Sequence, residues 1–173
     1  MPSDLLRDAP SAADLLYSDL NDELAATRKT LERFPEGKGD WRPHEKSRTI
    51  GELAAHVAQL PGIGIAILES DGLDAAQRPP LPKVNTAAEL LAIFDGVAGR
   101  LRQAVASTDF AVLEQPWTLR RGDTVFFTRP KRPLMRSVLI NHLIHHRAQL
   151  GVYYRLLGVP VPSIYGPTAD EQF

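Results

Sequence analysis

The stretch PLMRSVLINHLIHHRAQLGVYYRLL, residues 133–157, decides how this chain is read. Pro133 suits a first helical turn, where its missing N–H leaves no bond unmade, and Gly158 with Pro160 stops a helix after Leu157. Helical spacing puts Met135, Leu139, His142, His146, Gln149 and Tyr153 on one inward stripe. His142 and His146 are four residues apart, so their side chains leave one face with Cβ atoms roughly 5–6 Å apart. Two imidazoles so placed converge on one ion, each about 2.0–2.1 Å from a zinc.

Three more helices are predicted upstream. One runs from about Pro10 to Phe34, with Ser11 as N-cap, Asp14 three residues on, and Leu16, Leu20, Leu24, Thr27 and Leu31 in register. The next runs from about Ile50 to Ser70 behind a Thr49/Glu52 capping box, with Leu53, His56, Leu60, Ile63 and Ile67 on its stripe. Pro61-Gly62 inside that stripe predicts a kink. After the linker Pro79-Pro80-Leu81-Pro82, the third runs from about Ala87 to Ser107 behind a Thr86/Glu89 capping box, with Leu90, Ile93, Phe94, Val97 and Leu101 inward. About 25 residues then read as non-helical. Trp117–Leu119 and Val125–Thr128 form a possible short hairpin around Arg121-Gly122-Asp123, and a connection of that length permits a crossover.

Bulk properties narrow the chemistry. The 173 residues suit one domain with a real core, residues 1–173. Lys+Arg is 20 against Asp+Glu 21, so no global basic bias points to nucleic acid. With no cysteine, disulfides, thiolate nucleophiles and Cys-based zinc or iron–sulfur sites are excluded. The N-terminus opens polar and acidic, and no run approaches roughly 18 uninterrupted apolar residues, so the expectation is a cytoplasmic protein without a membrane span.

His56 falls on a core-facing position of the second helix, and helices in a bundle pack roughly 8–10 Å apart, so it is placed to add a third ligand to His142 and His146. The competing reading is three hydrogen-bonded core histidines. Burying three unpaired imidazoles is costly, and a metal removes that cost. Leu143 rather than Glu follows His142, so the zincin protease pattern is absent. Neither a P-loop nor a nucleophile elbow is present, and Gly62-Ile63-Gly64 lacks the third glycine and the strand of a dinucleotide loop. His145 is turned about 100° from His146 and reads as a surface or interface residue, and His44 as a solvated loop residue. Arg147 reads as a partner for a carboxylate on another helix, and Gln149 as a hydrogen-bond partner near the histidines. From Thr124 to Thr168 there are six cations (Arg129, Lys131, Arg132, Arg136, Arg147, Arg155) and no acidic residue. That run either favours an anionic ligand or complements the acidic first two helices.

Several pieces together resemble the DinB family, the DinB/YfiT-like metalloenzymes. They are His56-Val57-Ala58, the run from Asn141 to Leu150, Gly158-Val159-Pro160-Val161-Pro162, and Ile164-Tyr165-Gly166-Pro167, with Trp41-Arg42-Pro43 and Ser47 leading up to His56. The resemblance covers most of the chain and is strongest over its last 40 or so residues. It implies an all-α four-helix bundle in up-down-down-up order, often dimeric. It also implies a ligand set of one histidine and a distant His-x-x-x-His, which maps onto His56, His142 and His146. Reported activities in the family include thiol-dependent transferases and isomerases.

Two functional readings follow. One is a divalent-metal enzyme, with zinc or nickel ranked first, using a low-molecular-weight thiol cosubstrate on a small-molecule electrophile. The other is a non-catalytic metal-binding homodimer serving stress response or small-ligand binding. Neither involves nucleic acid or a membrane. Far-UV circular dichroism is expected to be dominated by helix, with a minor strand signal from residues 117–128; a strand-rich spectrum would refute the assignment.

Overall fold

Threonine caps start the two helices that the sequence marks most plainly. The Thr49 hydroxyl accepts the Glu52 N–H, and the Glu52 carboxylate accepts the Thr49 N–H at 2.8 Å; Thr86 and Glu89 repeat the exchange. The computed structural model describes residues 17–172. In chain order it comprises α1 (Leu20–Leu31), α2 (Ile50–Gln59), α3 (Pro61–Glu69), β1 (Gly72–Asp74), a 3-10 turn (Ala75–Gln77), α4 (Ala87–Ala106), α5 (Phe110–Leu113), β2 (Pro116–Arg121), β3 (Thr124–Pro130), α6 (Lys131–Leu134), a π-turn (Met135–Ile140) and α7 (Asn141–Leu156). The expected stretch of helix from Pro10 to Leu16, with the Ser11 cap, lies outside the described residues.

The long helices share one core. α1 packs on α4 and α7, α2 packs on the same two helices, and α3 packs on α4 and the π-turn. Leu24, Leu31, Ile50, Leu53, Ile67, Leu90, Phe94, Leu101, Leu139 and Leu150 are all buried between them. Ile50–Glu69 is long and apolar enough to cross a membrane, but most of it is buried inside the molecule and it breaks at Leu60. Pro61 causes the break. It cannot donate to the preceding turn, and it opens α3 at a first-turn position, where that loss is harmless.

Two expectations need correction. The chain is mostly helical but not all-α, because it carries a three-stranded mixed sheet in the order β1-β2-β3. β2 and β3 form the expected antiparallel hairpin. β1 joins β2 in parallel, with Gly72, Leu73 and Asp74 opposite Thr118, Leu119 and Arg120. A three-residue strand directly after a helix is too short to show an alternating pattern, so the sequence hides it. The sheet is held to the helices by Trp117, which is fully buried and donates its indole N–H to the Ala66 carbonyl at 3.1 Å.

The second correction concerns the final helix. Met135 and Leu139 are buried as expected, but beyond them the deepest face carries Ile140, Leu143, Arg147, Leu150 and Tyr154, not the predicted His142, His146, Gln149 and Tyr153. The reason is the π-turn, which takes more residues per turn than an α-helix and shifts the facing register by about one position. The histidine stripe therefore sits at the edge of the core. At the far end, Gly158 takes a left-handed φ of 71°, and the Val159 N–H caps the Tyr154 carbonyl, as the Gly-Val-Pro signal predicts.

Two glycines test this packing. A Cβ added at Gly72 would lie 2.5 Å from the Thr118 carbonyl oxygen, a backbone atom that cannot yield, whereas one at exposed Gly96 on α4 meets nothing within 4 Å. Gly72→Ala should therefore lower the free energy of unfolding by about 1–3 kcal/mol. Gly96→Ala should raise it by about 0.5–1 kcal/mol. Urea denaturation of both variants checks the contrast.

Candidate metal centre

His56 lies in the middle of α2, buried between that helix and α7, while His142 and His146 project from α7 one turn apart and are half-buried. The His56 ring centroid is 5.2 Å from that of His142 and 4.7 Å from that of His146, and the latter two are 4.6 Å apart. One ligand atom from each imidazole lies within 4.8 Å of the others, and no carboxylate joins the group among the described residues. The structure thus brings together the three histidines that spacing singles out.

Hydrogen bonds orient two of the rings. His142 Nδ1 is 3.3 Å from the carbonyl oxygen of Val138, inside the π-turn, and His146 Nδ1 is 2.7 Å from Gln149 Oε1. Both oxygens can only accept, so each Nδ1 carries the hydrogen and each Nε2 presents its lone pair. Those two Nε2 atoms face one another at 2.8 Å, and His56 Nε2 is 3.5 Å from that of His142. Facing lone pairs at these separations repel, and a shared cation reverses the sign. An ion bound tetrahedrally at its usual distance from imidazole sets the nitrogens roughly 3.3 Å apart, within the range seen here. The donor set and its spacing fit a divalent ion.

Burial is the largest cause that depresses all three imidazoles, His56 to about 3. The positive ends of neighbouring groups add to it: His146 and then Arg48 act on His56, His146 acts on His142, and His145 and Arg48 act on His146. The Val138 carbonyl and the Gln149 amide pull His142 and His146 the other way, because each favours a protonated Nδ1. Neutral rings are what metal ligation requires.

The other candidates resolve by place. His145 is exposed and outside the cluster, its ring 4.9 Å from that of His146 on the outer side. His44 is an exposed loop residue whose Nδ1 accepts the Lys46 N–H. Arg147 is buried and pairs at 2.7 Å with Glu23 of α1, as expected of a carboxylate partner on another helix. Arg136 pairs with Asp19, Arg132 with Glu114 and Arg155 with Asp170, so most of the basic run answers carboxylates of the same chain. The sequence reading missed Glu23 and Tyr165, which close the Arg147 network. The available signal was Glu23 itself, an acidic residue flanked by Leu20, Leu24 and Thr27 on the inward side of α1.

These shifts carry a pH signature. An imidazole depressed in the folded state but ordinary when unfolded takes up its proton in the unfolded state first. Its contribution to stability is present above about pH 6.5 and is lost as pH falls towards the folded value. Metal-free protein should therefore lose stability between about pH 6.5 and 5, above the range where ordinary carboxylates titrate. Urea midpoints across that window should fall less steeply in His56→Gln; an equal slope would remove His56 as a cause.

Comparison with known proteins gives the family and the fold. Residues 6–172 match the family model described as the DinB family. An uncharacterized protein of Bacillus subtilis (strain 168), YrdA, is 29% identical over 152 residues, covering 86% of this chain and 85% of the relative. Three crystal structures share the fold: a DinB-like protein of Bacillus subtilis (YjoA; TM-score 0.67, 16% identity, 87% of this chain and 96% of that one), one of Bacillus cereus (0.65, 21%, 87% and 95%) and a DinB family protein of Exiguobacterium sibiricum (0.65, 22%, 87% and 95%). A family match spanning nearly the whole length, on a fold with histidines converging from α2 and α7, leads to one conclusion: this chain belongs to the DinB family.

Proposed function

We propose that this protein is a divalent-metal-dependent enzyme in which a low-molecular-weight thiol attacks a small electrophile, giving S-transfer or thiol-assisted isomerisation. The observation that carries this reading is the convergence of three neutral imidazoles with no fourth histidine and no carboxylate joining them among the described residues. That is the ligand count of catalytic rather than closed structural sites. An ion held there would supply Lewis acidity, polarising an electrophile and favouring the ionised form of a thiol.

The chain's own residues supply the rest. His142 and His146 are held in one tautomer by Val138 and Gln149, so their Nε2 atoms stay available. With no cysteine anywhere in the sequence, the nucleophilic sulfur comes from the cosubstrate. The ligand class is a small molecule rather than nucleic acid or a membrane, and zinc or nickel is the ion that suits imidazole donors. We read the long helices as a four-helix bundle in up-down-down-up order, supported by the pairs Asp19–Arg136 and Glu23–Arg147, which advance together along α1 and the last helical column. We read the assembly as a cytoplasmic homodimer.

One observation favours a second reading, a non-catalytic metal-binding protein that takes a small apolar ligand. A groove of about 360 Å³, walled by Ile144, Gly151, Val152, Val161 and Ile164, lies on the side of α7 away from the histidines. Ligand binding there needs no chemistry at the cluster.

Bound metal per chain, measured on identically prepared variants, tests the site. His56→Ala, His142→Ala and His146→Ala should each lose most of the metal, while His145→Ala and His44→Ala keep it. Gln149→Ala should weaken affinity by roughly 10–100-fold. A chelator should lower the melting temperature of the wild type and leave the triple variant unmoved. If none of the variants loses metal, these histidines are ordinary residues and the enzyme reading falls. Turnover of a thiol with an electrophile, absent after metal removal, separates the two readings.

A further inference from the structure

A polar cavity of about 680 Å³ opens where α2 begins, between Gly39–Arg42, Arg48–Glu52 and the segment 80–85. Three cations line it, Arg42, Arg48 and Lys83, together with two carboxylates, Asp40 and Glu52. Glu52 is committed to the helix end, where it accepts the Thr49 N–H at 2.8 Å. Arg42, Arg48 and Asp40 are exposed. Arg28 and Lys29 of α1 and Arg147 and Arg155 of α7, by contrast, pair with carboxylates. Arg42, Arg48 and Lys83 make no ion pair among the described residues. The cavity therefore holds positive charge in excess, beside the positive end of the α2 dipole.

Arg48 connects this cavity to the histidine cluster. It stands just ahead of the Thr49 cap of α2, about two helical turns before His56. Its carbonyl oxygen faces the hydroxyl of Tyr153, 3.4 Å away, and Tyr153 stands two turns beyond His146 on α7, with Trp41 edge-on to its ring at 5.6 Å. The Arg48 charge also reaches all three imidazoles. A guanidinium offers a planar fork that grips a carboxylate or phosphate through two hydrogen bonds, which an ammonium cannot do.

We propose that this cavity binds the anionic group of a small organic ligand, anchored on Arg48 and supported by Arg42 and Lys83, so that the remainder of the ligand extends toward His56, His142 and His146. The anion site stands on its own residues; only the role of the extended end rests on the metal-enzyme reading above. The proposal makes the ligand of that centre an acid and makes Arg48 the residue that selects it.

Titration calorimetry at low ionic strength, with succinate and separately with inorganic phosphate, tests this on full-length protein both metal-loaded and EDTA-treated. At least one anion should bind saturably, and the tighter one tells carboxylate from phosphate recognition. Arg48→Gln should weaken binding at least tenfold, Arg42→Gln and Lys83→Gln less, and Arg102→Gln, which lies off the cavity and contacts Asn21, not at all. Arg48-dependent binding upholds the proposal with or without metal, even if the metal reading fails. Binding that vanishes with EDTA yet survives Arg48→Gln means that the anion sits on the ion, and the proposal falls. Absence of binding by either anion also overturns it.

Discussion

Arg147 and Glu23 are taken out of water together, at 3% and 6% exposure, and their mutual contacts set how α7 lies against α1. The guanidinium donates to the Glu23 carbonyl at 3.0 Å, to Thr27 Oγ1 at 3.2 Å and to the Tyr165 hydroxyl at 2.6 Å, and it meets the Glu23 carboxylate at 2.7 Å. Tyr165 in turn donates to the other carboxylate oxygen at 2.6 Å. A buried pair of this kind adds little net stability, because desolvation offsets the attraction, but losing one partner costs about 3–5 kcal/mol. Its consequence is angular. It fixes the rotation of α7 against α1, and His146, the preceding residue, is turned about 100° away and so aimed at α2.

That rotation lets three basic side chains cluster without charging one another. An exposed histidine trio would share protons and salt; here burial keeps the rings neutral, and the Val138 and Gln149 acceptors decide which nitrogen faces inward. The π-turn contributes twice. It supplies the Val138 carbonyl, and it moves Leu143, Arg147, Leu150 and Tyr154 onto the core face, leaving His142 and His146 half-buried at its edge. A fully buried cluster would be closed to a ligand, and a fully exposed one would hold its protons near neutrality.

The polar cavity at the start of α2 extends the same arrangement. The Thr49–Glu52 exchange that begins the helix leaves Arg48 just outside it, its backbone carbonyl facing the Tyr153 hydroxyl, so one local capping choice sets both the phase of His56 and the backbone position of a cation that has no ion pair among the described residues. Arg132, Arg136 and Arg155 neutralise carboxylates within the chain, and most of the basic run near the C-terminus thus serves packing.

What the sequence determined by itself follows from local rules. Capping boxes at Thr49 and Thr86, the proline break at Pro61, the glycine stop at Gly158 and the hairpin around Arg121-Gly122-Asp123 each depend on a few neighbouring residues, and each is where the sequence puts it. The pairing of His142 with His146 is equally local, one turn of one helix. Tertiary structure decided the rest. Strand β1 exists only because β2 comes alongside it, Glu23 becomes a buried partner only when α7 arrives, and the approach of His56 to a helix 86 residues downstream is a packing event. The π-turn belongs to the same class. Met135 to Ile140 carry an ordinary helical pattern, yet the turn there sets the register in which Arg147 meets Glu23 and the histidines meet α2, a relation spread over three helices and invisible in any one of them.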